Sequence, residues 1–118
     1  MKRILVVDDE MDLLLAIGVL LQSAGYEVVE TSTGQEGIEA AEREDPDVVV
    51  LDIGLPDISG VEVLRHLRAA GNRAKIVILS AHASGHTEAT ATAEGADGYL
   101  TKPFNPEELL QMLERVLA

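Results

Sequence analysis

The chain has 118 residues, of which 47% are hydrophobic, so it is long enough for one globular domain with a buried core and too apolar to be disordered. Nine basic residues against 21 acidic ones give a net charge of −12, which disfavours direct binding to DNA, RNA or an anionic membrane. Disulfides and thiolate sites are excluded because there is no cysteine, and acidic residues 8–10 end the first apolar run too early for a signal peptide, which fits a cytoplasmic protein.

Strand-like and helix-like segments alternate along the whole chain, which is typical of βαβ units joined into one parallel sheet. The strands are predicted at residues 4–7, 27–30, 48–51, 76–79 and 99–101. Most of these runs do not alternate with polar residues, as expected for strands that are covered on both faces. The predicted fold class is therefore α/β with a parallel sheet.

Helices are predicted between the strands, the first at residues 12–24, the second ending before Pro46, the third ending near Gly71 and the last starting at Asn105. Capping signals mark three of the starts: Thr33-Gly34-Gln35-Glu36, Ser59-Gly60-Val61-Glu62 and Asn105-Pro106. The fourth helix, at residues 83–94, has the weakest helical pattern, because it lacks large aliphatic residues and contains glycine and threonine. We expect it to form and either to pack loosely on alanine or to be partly mobile.

Polar residues follow four of the predicted strands at the point where each strand ends: Asp8-Asp9, Asp52, Ser80 and Lys102-Pro103. Ligands of open parallel sheets bind just beyond the carboxyl ends of the strands, so these side chains are expected to converge at one edge. Taken alone, the aspartates and the serine are explained as helix caps or turn residues, and the lysine as a solvated surface residue. The joint pattern favours a functional cluster instead.

The predicted cluster holds more negative than positive charge, which raises the pKa values of its carboxylates unless a cation offsets them. Clustered carboxylate oxygens of this kind suit Mg²⁺. The chemistry that fits is phosphoryl transfer to a carboxylate, with Asp52 as a nucleophile that needs no general base once it is ionised. Mg²⁺ and Lys102 would neutralise the transferring oxygens, and Ser80 would donate a hydrogen bond to one of them.

Over essentially its whole length the chain resembles the receiver domain of two-component response regulators, the CheY-like family. The matching segments are residues 4–10, 52–60, 80–81 and 95–104, in the order and with the spacing of the family. The resemblance implies a doubly wound, flavodoxin-like sheet of five parallel strands in the order 2-1-3-4-5. It also implies that residues 1–118 form one receiver domain, with no output domain in this chain.

The resemblance implies a role for each matching residue. Asp52 takes the phosphoryl group from a phosphohistidine on a sensor histidine kinase or phosphotransfer protein, and Ser80 and Lys102 contact the phosphoryl oxygens. Tyr99 is the switch aromatic, whose ring turns inward when Ser80 moves toward the phosphoryl group. The peptide bond between Lys102 and Pro103 is cis in the family.

A Mg²⁺ site is implied in the same way. Its protein ligands are the carboxylates of Asp9 and Asp52 and the backbone carbonyl of Gly54, with Asp8 assisting partly through water. No enzymatic activity is expected beyond Mg²⁺-dependent self-phosphorylation and autodephosphorylation. The expected downstream partner is a separate protein or a fused output domain, bound in many relatives at the surface of helix 4, strand 5 and helix 5, with the chain either monomeric or dimerising on phosphorylation.

Three departures from the family pattern affect these expectations. Gly54 leaves no side chain two residues after the acceptor, which opens the site to water and makes the lifetime of the phosphorylated state hard to predict. His82 stands where it could line the mouth of the site, although an exposed loop histidine is the better interpretation, and His66 and His86 carry no site argument. Helix 4 lacks the large apolar and basic residues that are common in the family, which leaves the mode of partner binding open.

Two other classes remain as alternatives. A pseudo-receiver keeps the fold as an interaction module without the chemistry, but the acidic, serine and lysine residues described above are all present. A haloacid-dehalogenase-like phosphatase also uses a nucleophilic aspartate, Mg²⁺ and lysine, but it carries a second aspartate where this chain has Gly54. A nucleotide-binding fold is less consistent, since no glycine-rich phosphate loop follows any strand.

Overall fold

Residues 1–81 and 85–118, which the computed structural model describes, contain five strands that alternate with five helices. The elements in chain order are β1 (Arg3–Val7), α1 (Met11–Ser23), β2 (Glu27–Thr31), α2 (Gly34–Glu44), β3 (Val48–Asp52), α3 (Gly60–Ala69), β4 (Lys75–Ser80), α4 (Gly85–Ala93), β5 (Gly98–Thr101) and α5 (Pro106–Leu117). Every predicted strand and helix is present, with boundaries that differ from the predictions by one or two residues in most cases.

All five strands are parallel and lie in the order β2-β1-β3-β4-β5, which confirms the predicted fold and strand order. Alternate residues of the central strands face opposite sides of the sheet. Leu5, Val49 and Ile78 pack against α2, α3 and α4, whereas Ile4 and Val50 pack against α1 and α5. Because both faces are covered, the central strands β1, β3 and β4 read as continuous apolar runs whose apolar residues are almost completely buried.

The three predicted helix caps are present, and of these three helices α5 has the full reciprocal capping box. At α5 the Asn105 side chain accepts from the backbone N–H of Glu108, whose carboxylate accepts from the N–H of Asn105. At α2 the Thr33 hydroxyl accepts from the Glu36 N–H, but the Glu36 carboxylate binds Ser32 instead. The prediction of a capping box is therefore wrong at α2, where the carboxylate contacts the preceding residue.

At α3 the hydroxyl of Ser59 accepts from the backbone N–H of Val61, one residue earlier than the capping box predicts. The cap itself is confirmed, since the side chain still satisfies one of the N–H groups that have no partner within the helix.

The fourth helix forms, as predicted, and Ala91 on it is buried in the core on the same face of the sheet as α2 and α3. Residues 83 and 84 of the predicted helix lie outside the described residues. Beyond the C-terminal end of α4, the Arg68 guanidinium donates to the carbonyl oxygens of Gly95, Asn72 and Ala74 and to the carboxylate of Asp97. One side chain on α3 therefore fixes the segments that lead into β4 and β5.

None of the helices in residues 1–81 and 85–118 is both long and apolar enough to cross a membrane.

Replacing Asn105 by alanine is expected to lower the free energy of unfolding by about 1 kcal/mol, because the backbone N–H of Glu108 loses the side-chain oxygen that caps the start of α5. Chemical denaturation at neutral pH measures this change. The control is Gln111→Ala, an exposed position in the same helix, which should stay within about 0.5 kcal/mol of the wild type. Equal effects of the two substitutions would contradict the role of the cap.

Candidate functional site

The polar residues predicted to converge do lie together at the carboxyl edge of the sheet. Asp8 follows β1, Asp52 ends β3 and Ser80 ends β4. In the described part of the chain these three are the buried polar or charged side chains, with 0%, 5% and 1% of their surface exposed, respectively. A buried carboxylate is costly unless it has polar or charged partners, so their common position marks a site rather than ordinary loop ends.

Lys102 supplies the positive charge of this cluster. Its Nζ lies 2.9 Å from Asp8 Oδ2, 2.8 Å from Glu10 Oε1 and 3.4 Å from Asp52 Oδ1. The predicted approach of Lys102 to Asp52 is present, but the two shorter contacts are to the carboxylates that follow β1. The other oxygen of Asp8 accepts a hydrogen bond from the backbone N–H of Glu10, at 2.9 Å.

The balance of charge in the cluster shifts the pKa values of its members. Burial and the neighbouring charge of Asp8 raise the pKa of Asp52, and the Lys102 ammonium and the backbone N–H of Gly54 offset only part of this rise. Burial opposes the charged form of Lys102, but its hydrogen bonds to Glu10 and Asp8 and the charge of Asp52 outweigh burial and raise its pKa. Lys102 is therefore cationic at neutral pH, and among residues 1–81 and 85–118 it supplies the positive charge that these carboxylates share.

One carboxylate oxygen from each of Asp8, Glu10 and Asp52 lies within 4.8 Å of the others, which is close enough for them to hold one metal ion. Two of these carboxylates are buried, and their charge exceeds that of Lys102, so the donor set fits a hard divalent cation. Asp9 is exposed and is not one of these three carboxylates. Together with Glu10 and Asp52 it lines a cavity of about 230 Å³. Gly54, Ser80 and Lys102 also line this cavity.

Glu10 is the residue of the cluster that sequence reasoning missed. The signal was the run of three acids after β1, but alternation does not determine which of them face the site, because the chain leaves the sheet after Asp8. Glu10 lies at the N-cap position of α1 in extended conformation, and its side chain contacts Lys102 instead of capping the helix.

A close approach between α3 and β3 fixes the backbone of Asp52. The N–H of Gly60 donates to the carbonyl of Ile53 at 2.9 Å, and the N–H of Ile53 donates to the carbonyl of Leu79 at 3.0 Å. A Cβ atom at position 60 would overlap the carbonyl oxygen of Asp52. Only glycine allows the first turn of α3 to lie this close to the strand end.

The remaining predicted residues are placed as follows. Tyr99 is partly buried on β5 and packs against the core between the sheet and α2, α3 and α4. The peptide bond between Lys102 and Pro103 is cis. His66 is exposed on α3 beside Glu42 of α2, away from the site, and His82 lies outside the described residues.

Comparison with known proteins supports a single family. A family model described as the response regulator receiver domain matches residues 4–114. Among curated proteins, the transcriptional regulatory protein KdpE of Mycobacterium tuberculosis is 43% identical over 113 residues, which are 96% of this chain and 50% of KdpE. The cell cycle transcriptional regulator CtrA of Caulobacter vibrioides is 37% identical over 98% of this chain and 50% of its own length. The chain thus spans about half the length of these relatives.

Solved structures give the same result. A CheY-like response regulator receiver domain protein from Methanospirillum hungatei has a TM-score of 0.94 and 34% identity, covering 99% of this chain and 94% of its own. The chemotaxis response regulator CheY4 of Vibrio cholerae has a TM-score of 0.93 and 35% identity, covering 98% of each chain. The architecture described above is therefore shared closely with these proteins.

Replacing Asp52 by asparagine is expected to raise the free energy of unfolding of the metal-free protein at pH 7. The pKa of Asp52 is raised in the folded state, so the folded protein loses stability as the pH rises above the unfolded-state value of about 3.9. The advantage of the variant should therefore be absent near pH 3 and should grow as the pH rises. Urea denaturation in a chelator at several pH values measures it.

The control for this substitution is Glu114→Gln, which removes an exposed carboxylate on α5 and should change stability by less than about 0.5 kcal/mol. An Asp52→Asn variant that is less stable than the wild type at pH 7 would contradict the unfavourable charge balance.

Magnesium ions at about 100 times their dissociation constant are expected to stabilise the wild-type protein by about 2.7 kcal/mol, because only the folded chain assembles the acidic cluster. The Asp52→Asn variant should gain far less, since it loses one of the converging carboxylates. Thermal unfolding with and without MgCl₂ tests this, with Glu114→Gln expected to gain as much as the wild type. Equal stabilisation of wild type and Asp52→Asn would show that the ion binds elsewhere.

Proposed function

The chain belongs to the response regulator receiver domain family of two-component systems, and we propose that it is a phosphoacceptor switch in which Asp52 accepts the phosphoryl group. The observation that carries this proposal is the convergence of Asp8, Asp52, Ser80 and Lys102 at one edge of the sheet, with Asp52 open to a small cavity. The donor would be a phosphohistidine on a sensor histidine kinase or a phosphotransfer protein.

Transfer of the phosphoryl group to Asp52 needs no general base, because an ionised carboxylate is already a nucleophile. A carboxylate oxygen of Asp52 attacks the phosphorus atom as the bond between phosphorus and the imidazole nitrogen breaks. The electron pair of that bond stays on the nitrogen, which takes up a proton from solvent water as the imidazole leaves. Although the pKa of Asp52 is raised, the ammonium of Lys102 and the N–H of Gly54 favour the ionised carboxylate that must attack.

We infer that the cation of this site is Mg²⁺, which receiver domains use. When bound, it would supply positive charge next to the transferring phosphoryl oxygens. Asp8, Glu10 and Asp52 are the converging donors, while Asp9 and Gly54 border the cavity that Glu10 and Asp52 line. Lys102 would exchange at least part of its contact with these carboxylates for a phosphoryl oxygen, because the metal ion takes over the neutralisation of their charge.

The switch is proposed to act through Ser80 and Tyr99. Ser80 is buried at the end of β4 and pairs in register with Thr101, two residues after Tyr99 on β5. A phosphoryl group on Asp52 would attract the Ser80 hydroxyl, and the displaced chain would leave room for the Tyr99 ring to turn inward. Downstream partners, whether separate proteins or fused output domains, would detect this change at the surface of α4, β5 and α5, with or without dimerisation.

The chemistry is proposed to stop at phosphorylation of Asp52 and hydrolysis of the product. A phosphatase of the haloacid-dehalogenase type would turn over small phosphate esters, whereas no such turnover is expected here because Gly54 stands where that class has its second aspartate. A pseudo-receiver would bind partners without accepting a phosphoryl group.

Incubation with acetyl phosphate and Mg²⁺ is expected to add one phosphoryl group, a mass of about 80 Da, detected by intact-mass spectrometry. The adduct should require Mg²⁺, should be lost in base, and should be absent from Asp52→Asn. The control is Glu114→Gln, which should be labelled as the wild type is. Labelling that persists at one site in Asp52→Asn would overturn the acceptor assignment.

Absence of labelling and of Mg²⁺ binding would favour a pseudo-receiver. Steady release of phosphate from p-nitrophenyl phosphate by the wild type, abolished in Asp52→Asn, would favour the phosphatase instead.

A further inference from the structure

The loop between β3 and α3, residues 53–59, follows the acceptor directly and is held at a second place on the protein. The carboxylate of Asp57 accepts hydrogen bonds from the backbone N–H groups of Gly34, at 2.8 Å, and Gln35, at 2.9 Å. These are the first two residues of α2, whose N–H groups have no partner inside the helix. A carboxylate also lies favourably at the positive end of the helix dipole.

A side-chain contact next to Asp57 reinforces this attachment. Ile58 packs directly on Gly34, where a Cβ atom would overlap the Ile58 side chain and crowd Val63. Ile58 also packs against the core formed by α2, α3 and the sheet. The absence of a side chain at Gly34 therefore lets the loop lie close enough to α2 for the Asp57 carboxylate to reach both N–H groups.

The two hydrogen bonds favour the ionised form of the Asp57 carboxylate. The N–H groups of Gln35 and Gly34 lower the pKa of Asp57 below its usual value, so the side chain is ionised at neutral pH. The attachment is therefore a charge-assisted one in the conditions under which the protein works.

The part of the loop that borders the site lies between two anchors. At its start, Ile53 is bound through its N–H to Leu79 and through its carbonyl to Gly60. At its far end, Asp57 and Ile58 hold it to α2. Gly54 lies between these anchors and is exposed to solvent. Its backbone N–H donates to the Asp52 carboxylate, and the residue borders the cavity.

We propose that Asp57 is a positioning residue for the Asp52 site: by binding the start of α2, it holds the loop so that the backbone of Gly54 stays against the acceptor carboxylate and the metal site. This inference rests on the proposed function, because it assigns Asp57 to the same site. Without the second anchor, the loop would spend part of its time in arrangements that move Gly54 away. The apparent affinity for Mg²⁺ would then fall by the fraction of time in which the loop is misplaced.

The first test compares Asp57→Ala with Thr33→Ala in metal binding. Both remove a cap from the start of α2, but the Thr33 hydroxyl caps Glu36 and, within the described ranges, makes no hydrogen bond to the loop at residues 53–59. Calorimetric titration with MgCl₂ should show an affinity about three- to tenfold weaker for Asp57→Ala and unchanged for Thr33→Ala. Asp57→Asn, which keeps one acceptor oxygen, should lie between Asp57→Ala and the wild type.

The second test separates positioning from chemistry. The rate of labelling by acetyl phosphate should fall for Asp57→Ala at low Mg²⁺ and recover toward the wild-type rate when Mg²⁺ is saturating, since Asp57 does not touch the reacting atoms. A variant that only loses global stability would unfold at lower denaturant concentration without a change in either measurement. Equal Mg²⁺ affinity and labelling in the wild type and Asp57→Ala would overturn the inference while leaving the proposed function intact.

The third test does not depend on phosphorylation or on the metal ion. Amide hydrogen exchange at Gly54, followed by NMR in the metal-free protein, should be about three- to tenfold faster in Asp57→Ala than in Thr33→Ala. If the wild type were not labelled at all, the proposed function would fail, and this exchange measurement would still decide whether Asp57 holds the loop. Identical exchange in both variants would overturn the inference.

Discussion

The ammonium group of Lys102 is shared by three carboxylates, and the features of the site depend on that shortage of positive charge. Two of the carboxylates, Asp8 and Asp52, are almost completely buried, so solvent does little to offset their repulsion, and Lys102 is the basic residue that the described part of the chain brings to them. Charge arranged in this way is destabilising in isolation but is well suited to bind a cation and to receive a group whose transfer needs that cation. The metal-free protein is therefore less stable than it would be with a neutral site, and binding of a cation stabilises it more than it would stabilise a neutral site.

The shape of the site follows from the parallel sheet and from close contacts next to Asp52. Parallel pairing brings the carboxyl ends of β1, β3 and β4 to one edge, so residues far apart in sequence meet without a dedicated loop. Gly60 lets α3 begin directly on the backbone of Asp52, and the Ile53 hydrogen bonds extend the strand pattern one residue further. Asp52 is therefore held by the fold itself, while the position of Gly54 beside it depends on the contacts that hold the loop.

Periodicity and strand-end chemistry predicted most of this arrangement, and the failures have identifiable causes. Apolar runs located the strands because both faces of the sheet are covered, whereas the strand order came only from the family resemblance. Glu10 was missed because the chain has left β1 at that point, so the alternation of side chains along a strand no longer determines which way the Glu10 side chain faces. The bonds of Asp57 to α2 join residues 22 and 23 positions apart, and no local pattern encodes such a pairing. The capping box predicted at α2 is incomplete because the Glu36 carboxylate accepts hydrogen bonds from Ser32 instead of from the backbone N–H of Thr33.

The Arg68 side chain has a mechanical consequence for α4. Its bonds to Gly95 and Asp97 fasten the chain just beyond the C-terminal end of this helix, and Ala91 near that end is buried. A displacement of α4 that preserves these bonds must therefore be a rotation about the fastened end. The nine residues of the helix form a rod about 13 Å long, so a rotation of about 10° would move the opposite end by roughly 2 Å. The helix would act as a lever arm whose moving end is the one that follows Ser80 in the chain.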